Sequence, residues 1–259
     1  MVQQIIGREV IHLKHVDSTN SYLMQQAADG AEEGLAVIAH RQTAGRGRRG
    51  RSFQSTEGLG LYMSVLVRPH LPAIDVPELT AWTAVAVCNG IEAAFGKRPQ
   101  VKWINDIVAD GRKLGGILTE MALNPDGTLS HVVIGIGINV YHRRRDFAPE
   151  LQDMAISIAQ WLDRDLHDKT REYLAHCILR ALDDMYCVFP TNRSSFLRRY
   201  RDDCVTIGQL IRVITPDESI PAVAEDIDDR FRLRVRYDDG STATLNAGEV
   251  SVRGLWDYI

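Results

Sequence analysis

Apolar runs separated by glycine, proline and polar turns divide the first 204 residues into strands and helices. Alternating or continuous apolar runs predict strands at residues 9–16, 35–40, 59–67, 100–104, 113–118 and 131–140. Apolar positions at helical spacing predict helices at residues 21–28, 77–95, 154–162, 169–189 and 193–203. Pro77 stands just inside the start of the second helix and Gly96 just past its end, so this helix is predicted to cover the core.

The pattern changes beyond residue 205. Short alternating runs occupy residues 208–214, 222–227, 231–237 and 241–245, with an Asp239-Gly240 turn between the last two. This spacing predicts a small all-β unit, a five-stranded barrel. We therefore expect two domains, at residues 1–204 and 205–259.

Composition narrows the class of protein. The chain has 259 residues, 45% of them hydrophobic, and a net charge of −4, which argues against general nucleic-acid binding. No apolar run has the length of a membrane span and no signal peptide is evident, so a cytoplasmic protein is expected. The four cysteines form no C-x-x-C pair and the histidines no H-E-x-x-H motif, so no metal held by protein alone is expected.

The most distinctive segment is a loop rich in glycine and arginine. Residues 39–55 read AHRQTAGRGRRGRSFQS, and arginines stand at positions 46, 48, 49 and 51. Guanidinium groups match phosphate oxygens in bidentate geometry, and glycine lets the backbone approach a ligand closely. The loop is therefore predicted to grip phosphate, and to be poorly ordered when empty because its like charges repel one another.

Two other interpretations of this loop exist. Gly45, Gly47 and Gly50 spell G-x-G-x-x-G, but a dinucleotide-binding fingerprint needs an apolar helix after the last glycine, and another strand-like run follows here. A solvated basic loop or a nucleic-acid patch stays open from the loop alone.

Three further patches carry polar or glycine-rich chemistry. Residues 17–20, Asp-Ser-Thr-Asn, stand where a strand passes into a helix, so they can cap the helix, bind a neutral polar ligand group, or do both. Lys113 follows a tight Asp-Gly turn. The run 131–140, HVVIGIGINV, is either a buried strand or a glycine-floored strand beneath a flat ligand, with Asn139 at its end.

No nucleophile stands beside a base in any recognisable motif, and neither G-x-S-x-G nor G-x-x-x-x-G-K-[ST] is present. Phosphate-binding cations without a protein nucleophile suit an enzyme that positions two substrates and neutralises charge between them. Adenylation of a carboxylate by ATP with Mg²⁺ is such a reaction.

Five motifs resemble the bacterial biotin-protein ligases in order and spacing. They are D-S-T-N at 17–20, G-R-G-R-R-G-R at 45–51, K-W-I-N-D at 102–106, R-K-L-G-G-I-L at 112–118 and G-I-G-I-N at 135–139, with a weaker match of G-E-V-S at 248–251 to the C-terminal domain. The resemblance implies an α+β fold of the class II aminoacyl-tRNA synthetase type. A mixed central sheet would be flanked by helices and followed by a small SH3-like barrel.

The resemblance also implies a function. Biotin and ATP would give biotinyl-AMP, and the biotinyl group would pass to a lysine of a biotin carboxyl carrier protein, such as that of acetyl-CoA carboxylase. Only about sixteen residues precede the D-S-T-N motif, so the helix-turn-helix domain of bifunctional members is not expected. A ligase without DNA-binding repressor activity is therefore implied, with a homodimer through the central sheet as a further possibility.

The roles of individual residues follow from the matched motifs. Lys113 and Arg48 would be catalytic. The residues implied to bind biotin are Ser18, Thr19, Asn20, Gln42, Arg46, Gly47, Arg48, Lys113, Gly115, Gly116 and Gly137. Those implied to bind ATP or its phosphates are Gly45, Arg46, Arg48, Arg51, Phe53, Asn105 and Asn139.

The sequence departs from the family pattern at two positions. Phe53 stands where tryptophan is common and Ile104 where proline is common. We expect modest effects, since neither change removes a charge or a hydrogen bond. The rival interpretations are a lipoate-protein ligase of the same fold, which the loop and the K-W-x-N-D motif disfavour, and a non-catalytic nucleic-acid-binding module.

Overall fold

Seven strands form a mixed central sheet in the computed structural model, which describes residues 4–215, 218–246 and 251–254. The strands are β1 (Val10–Val16), β2 (Ala36–Gln42), β3 (Gly60–Val67), β4 (Gln100–Lys102), β5 (Asp106–Ala109), β6 (Arg112–Leu123) and β7 (Leu129–Asn139). Their spatial order is β1-β2-β3-β7-β6-β5-β4. β1 runs parallel to β2 and every other neighbouring pair is antiparallel.

Helices cover both faces of this sheet. They are α1 (Thr19–Ala28), α2 (Val76–Phe95), α3 (Ile158–Trp161), α4 (Thr170–Val188) and α5 (Arg193–Asp203). α1 packs against β2, β3 and β7, while α2 and α4 pack against each other and contact the sheet through β6 and β3. Every residue of β3 is buried, as expected for a strand covered on both faces. None of the helices in the described ranges is long and apolar enough to cross a bilayer.

Local chemistry explains where α2 begins and ends. Pro77 lies in its first turn, where a missing N–H costs little, and Gly96 adopts a left-handed conformation at φ 71° after its last turn. The Gly96 N–H donates to the carbonyl of Glu92 at 2.7 Å, which satisfies one of the terminal carbonyls. Fourteen of its twenty residues are buried, so the predicted core-covering role is confirmed.

The prediction of a helix at residues 154–162 is wrong for its first part. Ala155 forms a parallel bridge with Lys113 of β6, in which the Lys113 N–H donates to the Met154 carbonyl at 2.7 Å and the Ile156 N–H to the Lys113 carbonyl at 2.9 Å. The helix begins only after Ser157, whose side chain accepts from the Gln160 N–H in a capping box. Tertiary backbone pairing therefore overrides the apolar spacing of this segment.

The C-terminal residues form a five-stranded antiparallel sheet. Its strands are β8 (Leu210–Ile214), β9 (Ser219–Ile227), β10 (Leu233–Tyr237), β11 (Thr242–Leu245) and β12 (Ser251–Gly254), in the order β11-β10-β9-β8-β12. The four predicted strands and the predicted total of five are confirmed, whereas closure between β11 and β12 is not among the described pairings. Residues 248–250 of the G-E-V-S motif lie outside the described residues.

The small sheet shares its core with the large domain. Phe231, fully buried, makes ring contacts with Trp82 of α2 and Tyr200 of α5, and its carbonyl accepts from the Trp103 indole at 2.9 Å. The buried carboxylate of Glu78 pairs with Arg193 and with Arg230 from the two sides of this contact. A boundary at residues 204 and 205 falls between α5 and β8, and the division into two domains stays a prediction.

Candidate active site

A cavity of about 1120 Å³ opens between the N-terminus of α1, the arginine loop, β6 and β7. It brings together the predicted site residues from all five motifs except Gly45 and Gly115. Those lining it are Ser18, Thr19, Asn20, Gln42, Arg46, Gly47, Arg48, Arg51, Phe53, Asn105, Lys113, Gly116, Gly137 and Asn139. Residues separated by more than a hundred positions in the chain thus share one site.

One end of the cavity is a network of neutral hydrogen-bonding groups. Gln42 Oε1 accepts from the Thr19 N–H at 2.8 Å and lies 3.0 Å from Thr19 Oγ1. Gln42 Nε2 donates to Ser55 Oγ at 2.9 Å. The Asn20 amide donates to the Leu118 carbonyl at 3.1 Å. These groups are neutral, and the charged side chains at this end, Arg46 and Glu120, neutralise each other, so this end suits an uncharged polar ligand.

Some hydrogen-bonding capacity at this end is left for a ligand. Ser18 precedes α1, yet its hydroxyl makes no capping bond to the helix, so the predicted capping role is wrong for its side chain. Gln42 Nε2 has a second N–H beyond the one given to Ser55. Asn20 Oδ1, 2.6 Å from Ser64 Oγ, retains a further lone pair. The cavity therefore offers two donors and one acceptor here.

The arginine loop is held to the body of the protein at two points. The Arg46 guanidinium lies 2.8 Å from Glu120 Oε2 on β6, and Arg48 donates to Asn105 Oδ1 at 3.0 Å. Between these points the loop turns tightly, since the Gly47 N–H donates to the Arg51 carbonyl at 2.7 Å. Arg49 takes a left-handed conformation at φ 56° within this turn. The loop thus lies across the cavity as a strap.

Two cations meet at the middle of the cavity. Lys113 Nζ lies 2.5 Å from Asp106 Oδ1, and the field of Asp106 also reaches Arg48. Burial lowers the pKa of Arg48, against which Asp106 raises it. Asn105, which binds Arg48, donates in turn to the Ile117 carbonyl at 2.8 Å, so the K-W-I-N-D segment orients the cation. A partly buried pair of cations with one nearby carboxylate is suited to an anionic ligand.

Glycines make room in the floor of the cavity. A Cβ atom at Gly137 would come within 2.7 Å of the Phe53 ring, and one at Gly135 would collide with Asn20 Oδ1. A Cβ at Gly115 would instead press on Ile138 from the neighbouring strand, and one at Gly45 would press on Ser55 and Phe53. Gly115 and Gly45 therefore permit close packing of the walls, while Gly116 and Gly137 face the cavity itself.

The far wall of the cavity is apolar and was missed from the sequence. Its apolar surface is built by Phe147, Leu151, Met154 and Ala155, and Asp153, a charged residue of the same segment, also lines the cavity. Asn139 stands at the base of this wall, where its amide donates to the Ile156 carbonyl at 3.1 Å. Residues 143–153 have no periodic pattern, and the sequence predicted a helix from residue 154. The Ser157-x-x-Gln160 capping signature is the signal that could have shown that the helix begins only after this wall.

Two side chains fix this wall in place. Gln54, just after the arginine loop, donates to the Asp146 carbonyl at 2.8 Å and accepts from the Ala148 N–H at 3.1 Å. The buried ring of His142 stacks on Phe147 with centroids 4.8 Å apart.

The C-terminal part of the chain also contributes to the site. Gln209, which precedes β8, lines the cavity.

The departures from the family pattern fit their surroundings. Phe53 contacts the Tyr62 ring edge-on at 6.4 Å between centroids, and it lies over Gly137. Ile104 is buried, and its carbonyl accepts from the Tyr200 hydroxyl at 3.2 Å. Within the described residues no group of three or more His, Cys, Asp or Glu side chains is arranged to hold a metal ion.

Comparison with known protein families gives two matches. Residues 13–139 match the biotin/lipoate A/B protein ligase family, and residues 206–253 match the biotin protein ligase C-terminal domain. Together they cover both sheets and every motif that lines the cavity. The fold and the site thus define a ligase of the biotin and lipoate type.

Individual relatives narrow the class. The bifunctional ligase/repressor BirA of Bacillus subtilis is 45% identical over 92% of this chain and 72% of its own length. The match to the BirA of Bacillus spizizenii spans 48% of that protein's length. The biotin–[acetyl-CoA-carboxylase] ligase of Mycobacterium tuberculosis is 32% identical over 95% of this chain and 92% of its own. This chain belongs to the biotin protein ligase family.

A solved structure agrees with this assignment. Biotin protein ligase from Aquifex aeolicus, in complex with biotin and ATP, superposes with a TM-score of 0.80 and 26% identity. The match covers 95% of this chain and 99% of that one, so it includes the small C-terminal sheet. The mixed sheet with flanking helices that the resemblance implied is therefore confirmed.

Proposed function

We propose that this protein is an ATP-dependent biotin-protein ligase that forms biotinyl-AMP and transfers the biotinyl group to a lysine of a carrier protein. One observation carries the proposal. A single cavity holds a neutral polar end, a pair of cations at its middle and an apolar wall beyond them. This order matches the order of groups in biotinyl-AMP: ureido ring, acyl phosphate and adenine.

The polar end suits the ureido group. A ureido ring presents two N–H donors and one carbonyl acceptor. Ser18 and Gln42 supply donors for the carbonyl, and Asn20 Oδ1 supplies an acceptor for one N–H. Gly116 leaves space for the valerate chain between this end and Lys113, and Gly137 lets the Phe53 ring pack close to the cavity floor beside it.

The polar end also argues against lipoate. The dithiolane ring of lipoate has no N–H donor and no strong acceptor, so Ser18, Gln42 and Asn20 would be left without partners. A site built to hydrogen-bond a substrate rejects an analogue that lacks those groups by about 10⁴-fold or more, because buried polar groups then stay unpaired.

The first step joins the two substrates. A biotin carboxylate oxygen attacks the α-phosphorus of ATP, the bond to the β-phosphate oxygen breaks, and pyrophosphate leaves with that electron pair. Lys113 and Arg48 meet the negative charge that grows on the α-phosphate, with Lys113 exchanging Asp106 for the phosphate. Arg48 is held by Asn105 before substrate arrives, and Lys113 has only to exchange one oxygen partner for another.

The nucleotide would lie against the apolar wall. Phe147, Leu151 and Met154 offer flat apolar surface to adenine, and Asn139 stands beside them. Mg²⁺ accompanies ATP in such reactions and takes one or two carboxylates together with phosphate oxygens. Asp106 and Asn105 line the cavity with oxygen atoms of the kind that would hold it, and the ion would neutralise phosphate charge.

The second step transfers the acyl group. The neutral amine of the acceptor lysine attacks the acyl carbon of the mixed anhydride, an amide bond forms, AMP leaves with the bonding electrons, and the amine's proton passes to the departing phosphate or to water. The strap of residues 46–51 would keep water from the anhydride until that amine arrives. We propose the biotin carboxyl carrier protein of a carboxylase as the acceptor. Homodimer formation and absence of DNA binding stay predictions from the sequence.

Mass spectrometry of the protein's products tests the proposal. The purified protein is incubated with Mg-ATP and biotin, and in a parallel tube with Mg-ATP and lipoate, and the acyl-adenylates are measured. We expect biotinyl-AMP and no lipoyl-AMP. Lipoyl-AMP alone would keep the mechanism but replace the substrate. Neither adduct, from protein shown to be folded, would favour a nucleic-acid-binding role for the arginine loop.

A further inference from the structure

Glu120 on β6 stands outside every motif that the sequence singled out, yet it touches two of them. Its Oε2 atom accepts from Asn20 Nδ2 at 2.8 Å and lies 2.8 Å from the Arg46 guanidinium. Its side chain is 27% exposed, so the ion pair is partly shielded from water. One carboxylate oxygen therefore joins the start of α1 to the arginine loop.

The contact with Asn20 decides which way that amide faces. Nδ2 meets two acceptors, the Glu120 carboxylate and the Leu118 carbonyl, so both of its protons are used. Oδ1 must then face Ser64 and Gly135, where it can accept but not donate. If the Glu120 side chain were neutral, the Asn20 amide would lose the charged acceptor that helps to fix its orientation.

The contact with Arg46 decides what that arginine does. Its guanidinium is committed to Glu120 at the polar end of the cavity, whereas Arg48 lies with Asn105 at the middle. These two of the four arginines of the strap therefore have different partners. Arg46 closes the strap on the side of the neutral ligand group, and Arg48 faces the phosphate.

We propose that Glu120 is a positioning residue for biotin: it orients Asn20 as an acceptor and holds Arg46 so that the strap closes over the ureido end. This inference rests on the proposed function of the same cavity. Glu120 touches no substrate in this scheme and acts through its two partners. Its influence should reach the affinity for biotin and leave the affinity for ATP alone.

The Glu120→Gln variant tests this role, because it keeps the size of the side chain and removes its charge. Hydrogen bonds to charged groups are worth more than neutral ones, so we expect the biotin KM and the calorimetric Kd for biotin to rise about tenfold or more. The KM for ATP should change less than about twofold, as no nucleotide contact is altered.

Glu225→Gln is the matched control. Glu225 in β9 has the same 27% exposure and pairs with Arg236 of β10 at 2.8 Å, away from the cavity. Its KM values should equal those of the wild type. Arg46→Gln, alone and with Glu120→Gln, completes the set, and the double variant should be little worse than Glu120→Gln alone because that substitution already weakens the contact with Arg46.

The outcomes separate the possible roles. Unchanged biotin affinity in Glu120→Gln overturns the proposal, and so do additive effects of the two substitutions. Equal rises in both KM values with a lowered Tm would show a structural role only and also overturn it. If the wild-type protein itself binds no biotin, the proposed function fails and the role of Glu120 fails with it.

Discussion

At the scale of single residues, the side chain of Lys113 belongs to the site, whereas its backbone belongs to the fold. Its backbone N–H and carbonyl pair with residues 154 and 156, while its side chain reaches Asp106 in the cavity. Removing the side chain therefore spares the backbone pairing that holds the wall. The same residue lies in the R-K-L-G-G-I-L motif, so the sequence alone singled it out.

The Lys113→Ala variant is expected to lose adenylate formation by about 10²-fold or more, because a preorganised charge facing the α-phosphate is removed. Its Tm should stay near that of the wild type. Biotinyl-AMP measured by mass spectrometry over time checks the rate. Lys97→Ala, which removes a lysine that caps the Trp161 carbonyl far from the cavity, is the control. Full activity in Lys113→Ala would remove Lys113 from the mechanism.

His142 is a residue whose burial has a consequence for pH. Burial lowers its pKa from 6.5 to about 4, while Asp146 acts weakly in the opposite direction. Above pH 6.5 the ring is neutral in both the folded and the unfolded chain. As pH falls below 6.5, only the unfolded chain takes up the proton, so the free energy of unfolding falls until about pH 4.

The His142→Phe variant should therefore lose less stability on acidification than the wild type. The shift in pKa corresponds to about 3 kcal/mol over the interval from pH 6.5 to pH 4. Phenylalanine can keep the stacking on Phe147, so stability at pH 7.5 should change little. Urea unfolding at pH 7.5 and pH 4.5 gives the comparison, and identical losses in both proteins would show that His142 does not carry this dependence.

At the scale of elements, the arginine loop can lie across the cavity only if the repulsion among its arginines is offset by other contacts. Two charges about 4 Å apart interact by roughly 4 kcal/mol at an effective dielectric of about 20, so four arginines within six positions oppose a compact loop. Pairing of Arg46 with Glu120 and of Arg48 with Asn105 offsets part of this repulsion. The phosphate of a bound adenylate would add negative charge that offsets more of this repulsion.

Trypsin should cleave within residues 46–51 of the free protein and much more slowly once biotin and Mg-ATP are present. We expect about a tenfold difference, since the ligand's charge holds the strap closed. Cleavage at Arg198 and Arg199 in α5, which do not line the cavity, is the internal reference. Mass spectrometry of the fragments measures both rates, and equal rates in the strap with and without ligand would contradict this role.

At the scale of the whole molecule, one core extends through both sheets. Phe231 from the small sheet is buried against Trp82 and Tyr200 of the large domain, and Glu78 joins the two parts with two arginines. Gln209 brings the small sheet to the cavity. The two parts are therefore expected to unfold together, even though their sequences show different patterns.

The Phe231→Ala variant tests this coupling. Truncating a fully buried phenylalanine costs about 3–5 kcal/mol, and here the loss falls on the contact between the two sheets. Tryptophan fluorescence and far-UV circular dichroism should both report a lower unfolding midpoint, with Phe231→Leu affected less. An early separate transition that leaves biotinyl-AMP formation intact would show that the small sheet folds on its own.

Much of this molecule could be predicted because its determinants are local. The spacing of apolar residues predicted the principal strands and most helices, and Pro77 and Gly96 marked the limits of α2. The five motifs contain most of the residues that line the cavity, but none of those in its far wall, since glycines, arginines and Lys113 are distinctive in such combinations and scattered apolar residues are not. Strand β5 and the bridge between Ala155 and Lys113 were missed because backbone pairing with distant strands, not side-chain pattern, decides them.

What the sequence by itself determined is the order of strands and helices, the family and the chemical nature of the site. Only the tertiary structure decided which groups at that site are still free to bind. In that structure Arg46 forms an ion pair with Glu120, and both amide protons of Asn20 are used in hydrogen bonds. Phe147 and Gln209 line the cavity. The physical reason is that a hydrogen bond or an ion pair uses up a donor or acceptor, and its partner in space can lie anywhere along the chain.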